Sequence, residues 1–68
     1  MVKWVKCSER LPDKEGVYLT VSQNRHGGKS VFFHNYNLDY WVDNDGYTER
    51  QLNITITHWA ELPKAPDD

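Results

Sequence analysis

Val17, Leu19 and Val21 alternate with Tyr18, Thr20 and Ser22, while no stretch of the chain carries helical periodicity over three turns. A period of two lays successive side chains on opposite faces of an extended strand, so this alternation commits the chain to a sheet. A second run, Ser30 to Tyr36, continues the pattern: Val31 and Phe33 face one way, and Phe32, His34 and Tyr36 the other. Both faces of that run are apolar. Such a strand is covered on both sides or meets a partner.

Turn chemistry punctuates the rest. Pro12-Asp13-Lys14-Glu15-Gly16 presets a bend, Gln23 to Gly28 is a flexible hairpin loop, and Asn37-Leu38-Asp39 is a tight turn. Asp43-Asn44-Asp45-Gly46 is the strongest turn signal, because Asn, Asp and Gly tolerate left-handed backbone. Tyr40-Trp41-Val42 makes a short strand. Tyr47 to Leu52 fits either the start of a strand or one helical turn. Ile54, Ile56 and His58 alternate with Thr55, Thr57 and Trp59 as a last strand. The expected fold is mostly β: a small antiparallel meander of four to five short strands, curled into a partial barrel or roll, with little helix.

Sixty-eight residues make a single domain spanning residues 1–68, with residues 64–68 a charged, frayed tail. A chain this short buries only about 60% of its unfolded surface, so its margin of stability is thin. Cys7 is the only cysteine, which rules out an internal disulfide. Three Trp, four Tyr and two Phe supply large rings for a small core. A homodimer formed through an edge strand is the expected supplement.

Composition narrows the function. The net charge is −2 and the eight Lys and Arg are dispersed, which weighs against nucleic-acid binding, where a basic face is usual. No run approaches the length of a membrane span, and Met1-Val2-Lys3-Trp4 lacks the apolar stretch of a signal peptide. A cytoplasmic protein with a reduced thiol is expected, so Asn53-Ile54-Thr55 is a chance match to a glycosylation acceptor.

No catalytic residue, cofactor or metal site is assigned. His26, His34 and His58 lie on three separate segments, without the paired spacing of a zinc site. Trp41 stands where a calcium loop built on Asp39, Asp43 and Asp45 would need an oxygen ligand. Cys7 and His58 lack the flanking signature of a Cys–His nucleophile. Asn24 to Lys29 offers Gly backbone and two cations for a phosphate, but it precedes a strand where phosphate loops precede a helix. A solvated hairpin is the better reading. His58 is expected to point inward with Ile54 and Ile56 and to tie the chain ends together, bonded to carbonyls of the opening segment or to Glu9. Tyr18, Phe32, Tyr36, Tyr40 and Trp41, with Arg25 and Lys29, form the expected partner or ligand surface; Tyr47 adds to the aromatic surplus.

Two end motifs stand out: Trp4-Val5-Lys6-Cys7-Ser8-Glu9-Arg10-Leu11-Pro12 and Thr57-His58-Trp59-Ala60-Glu61-Leu62-Pro63, with Pro66 following. Together they resemble a family of small, functionally uncharacterised phage and prophage proteins that open with W-x-x-V-x-x-R-L-P and close with V-T-H-W-x-x-L-P-x-x-P. Cys7 stands where that family usually carries an apolar residue such as Val, Ile56 stands where Val is usual, and Val17-Tyr18-Leu19, Val31-Phe32-Phe33 and Tyr40-Trp41 fall where its middle elements would. Family members also form the terminal module of longer phage proteins. The resemblance implies a biological setting and no chemistry. Trp4, Leu11, Pro12, His58, Trp59, Leu62 and Pro63 are expected to be structural, with Trp4 and Leu11 packed on Trp59 and Leu62. Three functions remain: a non-enzymatic phage accessory protein acting by contact with a host or phage protein or with itself, a small-molecule or nucleotide sequestering protein, and a single-stranded nucleic-acid binder.

Overall fold

The computed structural model describes residues 2–62. Pro63 and the tail at 64–68 lie outside the described residues. Five strands and one helical turn follow in chain order: β1 (Val5–Lys6), β2 (Gly16–Asn24), β3 (Lys29–Tyr36), β4 (Trp41–Val42), α1 (Glu49–Leu52) and β5 (Ile54–Ala60). The strands form one open antiparallel sheet in the order β1-β5-β2-β3-β4. The mostly β architecture with little helix is as expected. The meander covers β2, β3 and β4; β5 then returns to the far side of β2, and β1 flanks it.

The ambiguous segment before β5 resolves as a helical turn. Thr48 and Gln51 cap it reciprocally, and Asn53 closes it in a left-handed conformation. Glu49 of this turn accepts a 2.8 Å hydrogen bond from the Ile56 backbone N–H.

Register decides which side chains share a face. Thr20 lies opposite Trp59 and Ser22 opposite Ile56, with Val21 opposite His58. Two residues of β2 therefore span three of β5, and Thr57 is the extra one. This bulge reverses the alternation along β5. Ile56 and Trp59 both face the core, and His58 turns to the opposite face with Val21. The expectation that His58 points inward with Ile56 assumed an unbroken period of two, and the bulge overturns it.

The core lies on one face: Tyr36, Trp41, Ile56 and Trp59 are buried there, with Val5, Cys7, Tyr18 and Ile54 packed against them. Tyr18 sets its ring edge-on to Trp59 and to Trp41, at centroid distances of 5.4 and 6.1 Å. Tyr36 packs at 4.7 Å from Trp41. Tyr36 and Trp41, 5% and 4% exposed, thus belong to the core and are not available to a partner. Aromatic rings supply most of the burial because one sheet and one helical turn leave little else to cover the face.

The chain ends meet as expected, but by different side chains. Val5 pairs with Trp59 and Lys6 with His58. The Trp59 indole donates to the Arg10 carbonyl at 2.7 Å. Pro12 is buried, whereas Trp4, Leu11 and Leu62 remain exposed. A two-residue strand leaves Trp4 just before the paired stretch, and the chain turns directly after it, with the Glu9 and Arg10 N–H groups bonded to the Lys6 carbonyl.

Candidate functional site

β3 has two unlike ends. At its C-terminal end, Asn35 and Tyr36 pair with Val42 and Trp41 of β4. From Lys29 to His34 the outer side has no strand beside it among the described residues. The alternation of the ladder shows which backbone groups this leaves open. Asn24 N–H bonds to the Gly28 carbonyl at 2.9 Å and closes the hairpin. Hydrogen-bonded pairs recur at every second position, so Ser30, Phe32 and His34 spend their backbone groups on β2. Lys29, Val31 and Phe33 point theirs outward.

The same stretch carries Val31, Phe32 and Phe33, which are 59%, 57% and 54% exposed. Val31 and Phe33 lie on the outer face with Val17, opposite the core. Phe32 lies on the core face. Three consecutive exposed apolar side chains on an open strand edge form a surface that single-chain proteins normally shield.

Behind Phe32, a concavity of about 410 Å³ is lined by residues that include Ser22, Ser30, Phe32, His34, Asp43 and Asp45. Among these lining residues His34 is almost fully buried, and its hydrogen-bond partner Thr20 is fully buried. The Thr20 hydroxyl lies 2.6 Å from His34 Nδ1 and 3.1 Å from the Phe32 carbonyl. One hydroxyl proton can serve only one of these acceptors. Given to Phe32, it makes Nδ1 the donor and leaves Nε2 with a lone pair; given to Nδ1, it puts the ring proton on Nε2. Burial holds the His34 pKa below its ordinary value, against a weaker upward pull from Asp43 and Glu49. The ring is therefore neutral at neutral pH. The Asp43–Asp45 loop is braced by Asp43 Oδ1, which accepts from the Asp45 and Tyr47 backbones.

Other residues singled out in the sequence disperse. Arg25 lines a separate depression with Glu49, Arg50 and Asn53. Lys29 lies on the outer face, opposite Gln23. Tyr40 is exposed in the turn before β4, and Tyr18 is half-buried in the core cluster. In the Asn24–Gly28 loop, the Asn24 side chain takes the N–H groups of His26 and Gly28, and its carbonyl takes that of Gly27. The His26, Gly27 and Gly28 N–H groups are thus spent within the loop. His58 bonds through Nδ1 to its neighbour Thr57 at 2.9 Å. Cys7 sits on the core side, and burial, reinforced by Glu49, pushes its thiol up to about 11. Among the described residues no cluster of three or more His, Cys, Asp or Glu could hold a metal ion, and no helix is long and apolar enough to cross a membrane. The pairing of Thr20 with His34 was not visible in the sequence because a Thr and a His fourteen positions apart meet only once the register is known.

The opening segment and the last strand, which meet around Trp59, both lie inside one family match. A family model described as Protein of unknown function (DUF551) matches residues 3–67. The chain belongs to that family. The match runs from the opening segment through the last strand, so the whole described fold is one copy of the DUF551 domain. No curated protein and no solved structure matches the chain.

Proposed function

We propose that this is a phage or prophage accessory protein, non-enzymatic, that works in the cytoplasm of a bacterial host by protein–protein contact through the outer side of β3. The phage setting rests on the end motifs. The contact reading rests on one observation: Val31, Phe32 and Phe33 are all more than half exposed on a strand whose outer backbone groups are open. Apolar area of this kind returns its free energy only when something covers it. A photo-reactive phenylalanine analogue at Phe33 tests the reading in cells. Adducts with protein are expected there, and none from the same analogue at Leu38, an exposed apolar site in a turn. Absence of adducts at Phe33 overturns it.

The concavity beside Phe32 supports a second reading, a small-molecule binder. Its charged lining is Asp43 and Asp45, which favours a neutral or cationic aromatic ligand over a phosphate. The same acidic loop beside Phe32, with the net charge of −2, weighs against a single-stranded nucleic acid. Thermal-shift titration with aromatic amines and with nucleotides separates these cases: a shift with amines that is lost in Phe32→Ser supports the pocket.

A further inference from the structure

We infer that the partner of β3 is β3 of a second copy, paired antiparallel about a two-fold axis at Val31 so that the two sheets join into one. This rests on the contact reading and names its occupant. The molecule treats its free edges unequally. On the β5 side, β1 covers Thr57 to Trp59, and Glu49 caps the next outward N–H, that of Ile56. On the β3 side, nothing among the described residues does the same for Lys29, Val31 and Phe33.

Antiparallel self-pairing must match outward residues with outward residues. An axis at Val31 sets Val31 opposite Val31, and Lys29 of each copy opposite Phe33 of the other. All three open residues on each strand are then used, which makes six new backbone hydrogen bonds. An axis at Phe32 would pair Val31 with Phe33 and make four, because the next pair would need Asn35, already bonded to β4. The Val31 register also keeps the two Lys29 ammonium groups apart and lays each against a Phe33 ring, where a cation is favoured. On the core face, Phe32 of one copy faces the small Ser30 of the other. The edge is thus complementary to itself in hydrogen-bond register and in the side chains it sets opposite one another, as an isologous interface requires.

Sedimentation at tens of micromolar should show a dimer. Val31→Lys places two ammonium groups across the axis and should give a monomer with an unchanged circular dichroism spectrum, while Leu38→Lys, away from the edge, should stay dimeric. The register is read by cysteine scanning in a Cys7→Ser background. Val31→Cys sits about 5.5 Å from its twin, within disulfide reach, whereas Phe33→Cys is about 14 Å away. Fast oxidation to a covalent dimer is expected for the first and not the second. Amide exchange should slow with concentration at Lys29, Val31 and Phe33 and stay unchanged at Ser30 and Phe32. A wild-type monomer, a dimeric Val31→Lys, or equal cross-linking at the two cysteine positions overturns the inference. A wild-type monomer that still gives adducts with another protein at Phe33 in cells would remove the self-pairing and leave the contact reading standing.

Discussion

The indole nitrogen of Trp59 donates a 2.7 Å hydrogen bond to the carbonyl oxygen of Arg10, and the Arg10 guanidinium lies 5.5 Å from the centre of the same ring. One residue of the closing motif is thus held by one residue of the opening motif across 49 positions. Val5 and Trp59 pair in the sheet beneath. The ring is gripped from the backbone side by β1 and from its polar edge by the turn after it.

Trp59→Ala should cost about 3–5 kcal/mol, the usual loss for a large core ring, and in so small a domain that can unfold the chain. Trp59→Phe keeps a ring but leaves the Arg10 carbonyl without its donor, and should cost about 1–3 kcal/mol. Urea denaturation followed by Tyr fluorescence measures both. A Trp59→Ala protein that melts at the wild-type temperature would mean that the clasp is not structural.

The bulge at Thr57 predicts unequal costs on either side of it. Ile56→Ala empties a core position and should lose about 2–5 kcal/mol. His58→Gln lies on the opposite face and trades one hydrogen bond to Thr57, at a cost of about 1 kcal/mol or less. Equal losses in the two variants would contradict the register.

His34 makes stability depend on pH. Its folded pKa is held below the ordinary 6.5, chiefly by burial, so on acidification the unfolded chain takes up a proton before the folded one does. The stability tied to the neutral ring is complete above 6.5 and is lost as pH falls through the folded pKa. Melting temperature should therefore drop between pH 7 and pH 5, and the drop should be smaller in His34→Asn, which keeps a polar atom toward Thr20. A wild-type melting temperature that rises over this interval would reverse the sign.

Leu38 has a φ of 78°, a left-handed backbone that a side chain with a Cβ occupies at a cost. It sits in the turn held by the Asn37 side chain, which accepts from the Asp39 and Tyr40 N–H groups. Leu38→Gly relieves the strain and gives back part of the gain in unfolded-state entropy. A net stabilisation of about 0.5–1 kcal/mol is expected by thermal denaturation. A destabilised variant would show that Leu38 earns its place through contacts.

Cys7, with its thiol pushed up to about 11 from 9.0, carries about 100-fold less thiolate at neutral pH than a free thiol. Alkylation by iodoacetamide should be slower by a similar factor in the folded protein than in urea. Equal rates would place the thiol in solvent.

The sheet was legible because it depends on local alternation and turn chemistry. Val17 to Ser22, Ser30 to Tyr36 and Asp43 to Gly46 announce strands and turns without reference to anything distant, and the core ring Trp59 could be picked from its motif. The faces were not legible. One extra residue at Thr57 reverses every side chain beyond it, and a bulge is decided by how β5 docks on β2. For the same reason, Tyr36 and Trp41 read as surface aromatics until the order β1-β5-β2-β3-β4 put them over the core. The buried pair of Thr20 and His34 arises only from that register. Periodicity and turn residues act within a few positions along the chain, so the sequence by itself determined β2, β3, β4, β5 and the turns between them, but neither the short β1 nor the helical turn before β5. Which edge stays open, which face is covered and which polar groups are sealed depend on contacts between distant segments, and only the tertiary structure decided them.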